Sequence, residues 1–354
     1  MGVHKIKFAL NGKVALSDYI TSLVWSPSGE FLAASSASGE MQVWRSHGNS
    51  IQDFQTLSEL TDKAIDCMAF CHDGKFFAAT GQDGRVRVWQ SGNADRFSSY
   101  QTIDYHSKHP SVWIDRLAWH PSSYLLAFNL GRQVQVWDVE NEKMMALLDF
   151  AESTVSDLAW CPDGLLLSVG GKNMVKSWHS KDWLQLPTVL EITGASEAIA
   201  WSNDGKYLAS GNQDNSITLA EGSNDPWLLT GFPSKIRQLV WSDVLTKHGT
   251  PLLAVASANG VAVWIKEKYQ EHWQCWLLDL HKEMVRAIAF EPNSLLLATT
   301  SDDGCFYLWH EAVELAQILK QDVAFCNLAW HPQGNRLAIG SESGEIFIYA
   351  NQTV

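Results

Sequence analysis

The chain is short of charge. Only 18% of its 354 residues are Asp, Glu, Lys or Arg, and the acids outnumber the bases by 39 to 26. A formal charge of −13 argues against a phosphate-seeking surface, which needs Lys and Arg in excess, so no nucleic-acid partner is expected. No run of eighteen apolar residues occurs, and the opening MGVHKIKFALNGKV lacks the apolar stretch of a secretory signal. No membrane association is expected. The six cysteines, at 67, 71, 161, 275, 305 and 326, form no Cys-x-x-Cys pair, which excludes the usual zinc and redox spacings. Most lie in apolar runs such as IDCMAF and WQCWLL, where a thiol serves as a small buried hydrophobe. That usage fits a reducing compartment, and a cytoplasmic location is expected.

Signatures of catalysis are missing as well. The sequence has no phosphate-binding Gly-rich loop, no nucleophile elbow and no His-Glu-x-x-His. GSESG at 340–344 has an elbow's outline, but Glu342 stands at its centre. NQT at 351–353 fits a glycosylation sequon that a cytosolic chain does not use. No catalytic residue, cofactor or metal is assigned, and the chain is expected not to be an enzyme.

What the chain has in plenty is repetition and tryptophan. LVWSPSGEFLAASSASGEMQVWR (23–45) returns near the end as LAWHPQGNRLAIGSESGEIFIYA (328–350), and six further copies lie between. An aromatic anchors each copy: Trp25, Phe70, Trp119, Trp160, Trp201, Trp241, Phe290 and Trp330, spaced 40 to 49 residues apart. Each copy reads as three short strands: a run ending at the anchor, a turn such as SPSG or HPQG, a second apolar run, a Gly- or Asn-bearing turn, and a third strand such as MQVW. One further β-like segment separates successive copies. Four strands in a period of about 44 residues predict a β-propeller blade. The last copy has no fourth strand of its own, whereas KVALSD (13–18) stands unclaimed before the first. The expected fold is therefore all-β: an eight-bladed propeller of four-stranded antiparallel blades, its ring closed by residues 13–18 completing the last blade. A single domain over 1–354 is expected, with blade cores at 20–44, 65–89, 114–137, 155–178, 195–220, 236–264, 285–309 and 325–350.

DGRVRVW, DGCFYLW and VQVWDV, with the turns SPSG, CPDG and HPQG, resemble the WD-repeat propeller family across essentially the whole chain. The Trp-Asp ending survives only at Trp137–Asp138, and the family's Gly-His pair is missing at every expected junction. In the family a His, a turn Asp and the third-strand Trp often share a buried hydrogen-bond network. Asp83, Asp214 and Asp303 hold the turn position, and His281, Asp303 and Trp309 come closest to a full set. Twelve tryptophans fall in register and are expected to pack between blades.

The resemblance implies a non-catalytic scaffold that docks protein partners on the propeller's faces, the chain itself being a monomer. In the family, partners dock where the inner strands begin. Counting back four residues from each anchor gives Thr21, Asp66, Asp115, Ser156, Glu197, Arg237, Arg286 and Cys326. Acids then gather on blades two, three and five, and arginines on blades six and seven. Such charges either pair among themselves or form a bipolar docking face. Tyr19, Trp113 and Met284 lie just upstream of the inner strands. Trp113 stands outside the tryptophan register, after a long linker, and Trp and Arg dominate binding hot spots. The expected partner-binding residues are thus Tyr19, Asp66, Trp113, Asp115, Glu197, Arg237, Met284 and Arg286.

The alternative is a metal-linked role. Cys71 with His72, His120, Cys161 and His331 follow their anchors in the first turns, and equivalent turns ring one face; attendance on a metal-handling protein is the other form of that reading. An enzyme using Asp66, Asp115 and Glu197 comes third. Among the remaining tryptophans, Trp227 is expected to fill the hole left where Ala220 replaces the usual Trp. Trp273 and Trp276 face opposite ways on one strand, so that one is buried and the other marks a lateral groove. Trp183 completes the set.

Overall fold

The computed structural model describes residues 6–47, 50–92, 96–105, 112–267 and 272–352. Thr353 of the sequon, and positions 93–95 and 106–111 of the long linker, lie outside the described residues. Those described form strands and turns and no helix. Among the described residues no helix is long and apolar enough to cross a membrane.

The strands hydrogen-bond into six sheets of four and one of seven, every recorded ladder antiparallel. In the seven-stranded sheet the long strand Thr188–Trp201 serves twice. Its first half pairs with Lys172–His179 as the last strand of copy four, and its second half pairs with Tyr207–Asn212 as the first strand of copy five. Counted that way, the sheets are eight sets of four. Close packing divides the chain into two compact units, one of residues 1–62 and 240–354 and the other of residues 63–239.

The second strand of each copy explains the repeat's apolar runs. Every residue is buried in Phe31–Ser36, Phe76–Gly81, Tyr207–Asn212 and Arg336–Ser341. A strand covered on both faces reads as a continuous run and not as an alternation. The turn before it is equally explicit. The Ser26 hydroxyl accepts the Phe31 N–H at 3.0 Å, and Gly29 takes the left-handed conformation at φ 75°.

In the unit of residues 1–62 and 240–354, the strand Phe8–Ala15 pairs with Glu345–Asn351, so the last set of four contains both ends of the described chain. This strand starts and stops earlier than the expected 13–18. A bulge between Leu10 and Gly12 breaks its alternation and hides it in the sequence. Its anchor is Phe8, 1% exposed, whose ring meets the edge of Trp330 at 5.5 Å. The Gln317 amide accepts the Phe8 N–H and donates to its carbonyl, both at 2.8 Å.

Nine of the twelve in-register tryptophans are buried; Trp137, Trp201 and Trp264 are partly exposed. The anchors also hydrogen-bond. Trp25 donates to the Ala329 carbonyl and Trp330 to that of Ala289, at 3.2 and 3.1 Å. In residues 63–239, Trp119 donates to Ala69 and Trp160 to Ala118, at 3.0 and 3.2 Å. Each acceptor is the residue just before the preceding anchor, so one staple recurs from sheet to sheet. The His281 network forms through an added member: Thr299 Oγ1 accepts the Trp309 indole N–H at 3.1 Å and lies 2.8 Å from His281 Nε2, while Asp303 stands 3.4 Å from His281 Nδ1.

Candidate functional site

Counting back four residues from the anchor lands on a specific feature of the backbone. In five of the sets of four the first strand has a register shift there, and the skipped residues are Thr21, Asp66, Glu197, Arg286 and Cys326. A bulge leaves its extra residue unpaired and re-aims the side chain, a device found at sheet edges and beside binding sites.

Within residues 63–239 the acids converge. Asp115 Oδ1 accepts the Asn129 amide at 2.7 Å, and Asn129 Oδ1 in turn accepts the Asp115 and Arg116 N–H groups. Arg116 lies 3.4 Å from Asp115 and 3.5 Å from Asp157. Asp157 also accepts the Ile199 N–H at 2.9 Å, yet burial holds its carboxyl above the usual range. Burial, helped by the neighbouring charge of Asp115, raises Asp66 to about 6. Asp115, Arg116, Ser156 and Glu197 share the wall of a polar cavity of about 450 Å³. Arg237 is half-buried, its Nε without a hydrogen-bond partner among the described residues. Trp113 is 61% exposed although Ile114 beside it is fully buried. Arg116, Asn129 and Asp157 were not singled out in the sequence. Arg116 and Asp157 each stand one position beyond a counted residue, the only signal they gave.

In the other unit, Tyr19 and Met284 are half-buried. Burial pushes the Tyr19 hydroxyl up to about 12 and the adjoining Cys326 thiol to about 11. Arg286 does not stand as a free cation: its Nε donates to Asp302 at 2.6 Å and its guanidinium lies 3.8 Å from Glu342. Asp302 is tied by its N–H to the Met284 carbonyl. The expected basic contribution is therefore neutralised at Arg286.

Comparison with known proteins bears on this geometry. Residues 145–179, 191–220 and 274–310 match the family described as WD domain, G-beta repeat, and residues 23–106 match the anaphase-promoting complex subunit 4 WD40 domain. The solved C-terminal WD40 domain of Sif2 superposes over 99% of both chains with a TM-score of 0.79 at 17% identity. The chain belongs to the WD-repeat β-propeller family. Among curated proteins it is similar to a probable cytosolic Fe-S cluster assembly factor of Schizosaccharomyces pombe, 34% identical over 110 residues, which is 30% of this chain and 17% of that protein. It is similar to Protein CIA1 of Arabidopsis thaliana, 32% identical over 87 residues, 23% of this chain and 24% of that one. Protein HIR1 of Cryptococcus neoformans is 28% identical over 131 residues, 34% of this chain and 14% of that one. The matched stretches thus span less than a quarter of each relative's length.

The propeller's first turns dispose of their Cys and His donors one by one. Cys71 takes the place of Ser26: its sulfur accepts the Phe76 N–H at 3.1 Å and its thiol donates to Asp73 at 3.1 Å. Burial raises the Cys71 and Cys161 thiols to about 11, which keeps them protonated at neutral pH. His120 Nε2 lies 3.1 Å from the Gly164 carbonyl, and His331 Nε2 lies 3.1 Å from that of Gly29. A Cβ at either glycine would overlap the imidazole, so each histidine packs on the next blade's turn. Among the described residues one local donor set is left: Cys71, His72 and Asp73, with ligand atoms within 4.8 Å of one another. Asp73 is already engaged by Cys71, the Lys75 N–H and the Tyr124 hydroxyl. The alternative reading's ring of turn ligands therefore does not converge among the described residues.

Of the remaining tryptophans, Trp183 meets Trp160 edge-on at 5.9 Å. Trp273 is buried at 8% exposure, while Trp276 is partly exposed and donates to the Ala312 carbonyl at 2.7 Å. Trp276 lines a cavity of about 310 Å³ with Lys247 and His248, which lie in the turn between the first and second strands of copy six.

Proposed function

We propose that this propeller is a non-catalytic, cytoplasmic scaffold, a single domain over 1–354 and monomeric by itself, that binds a partner protein where its inner strands begin. Asp66, Trp113, Asp115, Glu197 and Arg237 contribute from residues 63–239, and Tyr19, Met284 and Arg286 from the other unit. Trp113 carries the reading. A chain that buries nine of its in-register indoles leaves this one 61% exposed, beside an acidic cluster that holds one arginine. An exposed aromatic next to charge is the composition of a binding hot spot. The complementary partner presents an apolar pocket with basic flanks.

The test compares co-purification from native lysate by wild type and by Trp113→Ala. A stoichiometric partner should be retained by wild type and lost by the variant, with Tm within a few degrees. If Tm falls steeply, Trp113 is core; if the partner stays bound, the face is elsewhere. The metal-linked reading is favoured in one form, a partner that handles iron–sulfur clusters, because the similar S. pombe protein is a probable cytosolic Fe-S cluster assembly factor. Iron and acid-labile sulfide in the co-purified partner would support it, and a partner with neither would dismiss it.

A further inference from the structure

A further opening lies among the described residues, and none of the eight proposed contact residues lines it. A cavity of about 1030 Å³ lies between blades four and five, walled by the outer strand of blade four and the third strand of blade five, wholly within residues 63–239. It is large for a protein pocket, for which about 300–1,000 Å³ is usual. Two side chains on its wall are shorter than their counterparts elsewhere. Ala220 pairs with Leu208 at the place where Trp309 pairs with Leu297 in blade seven. Ser177 precedes Trp178 where Val43, Val88, Val136 and Val263 precede theirs. Both line the cavity.

The chain refills this space only in part: Ser177 Oγ lies 2.7 Å from Ser168 Oγ, beside the Trp201 indole. Trp227 pairs with Leu219 one position away and is not on the cavity wall, so the expected plug is not in place. Trp201, which is on the wall, leaves the recurring staple: its indole donates to Ser168 Oγ at 3.1 Å and not to the carbonyl before the preceding anchor. Ser210, the counterpart of Thr299, receives no indole. It donates instead within a buried polar group, to Ser196 and Asn212. The floor is apolar, with Leu166, Leu190 and Leu208. At the mouth stand Asp163, Glu191 and Glu221 against one cation, Lys206, which is paired with Glu221 at 2.8 Å. The loop leading into the wall strand exposes Leu184 and Leu186, at 96% and 89%.

We propose that this cavity is a peptide-docking site for a partner segment that inserts a tryptophan side chain into the space vacated at Ala220 and Ser177, flanked by Lys or Arg. The vacated volume sets the anchor: an indole is what the repeat places there in six other copies. The acidic mouth sets the flanks: Asp163 accepts the Leu165 N–H at 2.8 Å, neither it nor Glu191 has an ion pair among the described residues, and both carboxylates complement cations. This site goes beyond the docking face around Trp113 and does not depend on it.

The experiment titrates an acetylated, amidated Lys-Trp-Lys tripeptide carrying 5-fluorotryptophan into the full chain and follows fluorine NMR, which the seventeen native tryptophans leave clear. The expected Kd is about 1 mM or tighter. Ala220→Trp should weaken binding at least about tenfold without lowering Tm, and Ser177→Val should weaken it less. Glu191→Lys should abolish the preference for Lys-Trp-Lys over Gly-Trp-Gly. Trp113→Ala should bind as wild type does, which separates failure here from failure of the face. No saturable binding at several-fold this concentration, or binding unchanged in Ala220→Trp, overturns the proposal. A homodimer that Ala220→Trp dissociates would give the cavity to a second copy and overturn it equally.

Discussion

At the scale of single residues, the pattern of the repeat is kept by side chains that replace one another by hydrogen-bonding role. Cys71 stands in for Ser26 because a sulfur, like a hydroxyl, both accepts the N–H five residues on and donates within the turn. Asp66 has the most informative titration. Its folded value of about 6 lies above the ordinary 3.8, so the folded state holds its proton more tightly than the unfolded state does. The stability it contributes is fully present below 3.8 and is lost as pH rises through about 6. In Asp66→Asn, Tm should therefore fall less between those pH values than in wild type; parallel profiles would contradict the burial. His281 tests the buried network. Truncation to Ala removes the ring 2.8 Å from Thr299 and opposite Asp303, and should cost about 1–3 kcal/mol in urea unfolding. A neutral result would show that Thr299 and Trp309 suffice.

At the scale of elements, the terminal strand decides whether the last sheet has an open edge. Phe8–Ala15 covers the backbone of Glu345–Asn351, which would otherwise offer unpaired N–H and carbonyl groups to another chain. Phe8→Ala should cost about 3–5 kcal/mol, because a fully buried aromatic leaves a cavity against Trp330. Removing residues 1–15 should promote aggregation, as light scattering would reveal. The first strands make a different point. Their bulges put Asp66, Glu197 and Arg286 out of the ladder. Spacing from the anchor located these residues; pairing geometry explains why that spacing matters.

For the whole molecule, a charge of −13 shapes how a partner arrives. A basic partner approaches under an attraction whose range shrinks from about 10 Å at 0.1 M salt to about 3 Å at 1 M. The association rate should drop about tenfold over that interval while dissociation changes little, as stopped-flow measurement would show. A salt-insensitive rate would remove the acidic cluster from the proposed docking face.

Length of repeat, position of anchors and composition of turns were enough to settle the propeller fold and its sets of four strands, because each is a local pattern dictated by strand and turn chemistry. The wish for a fourth strand in the last blade was legible too, although the bulge at Leu10–Gly12 displaced it by several residues. What required the tertiary structure was every pairing between copies. Arg116 between Asp115 and Asp157, Arg286 between Asp302 and Glu342, and His331 on Gly29 join residues far apart in sequence or set by a bulge's aim. The void at Ala220 belongs to the same class. A small residue is visible in a sequence, but whether a neighbour moves in to fill its place depends on packing from another strand, and here Trp227 does not.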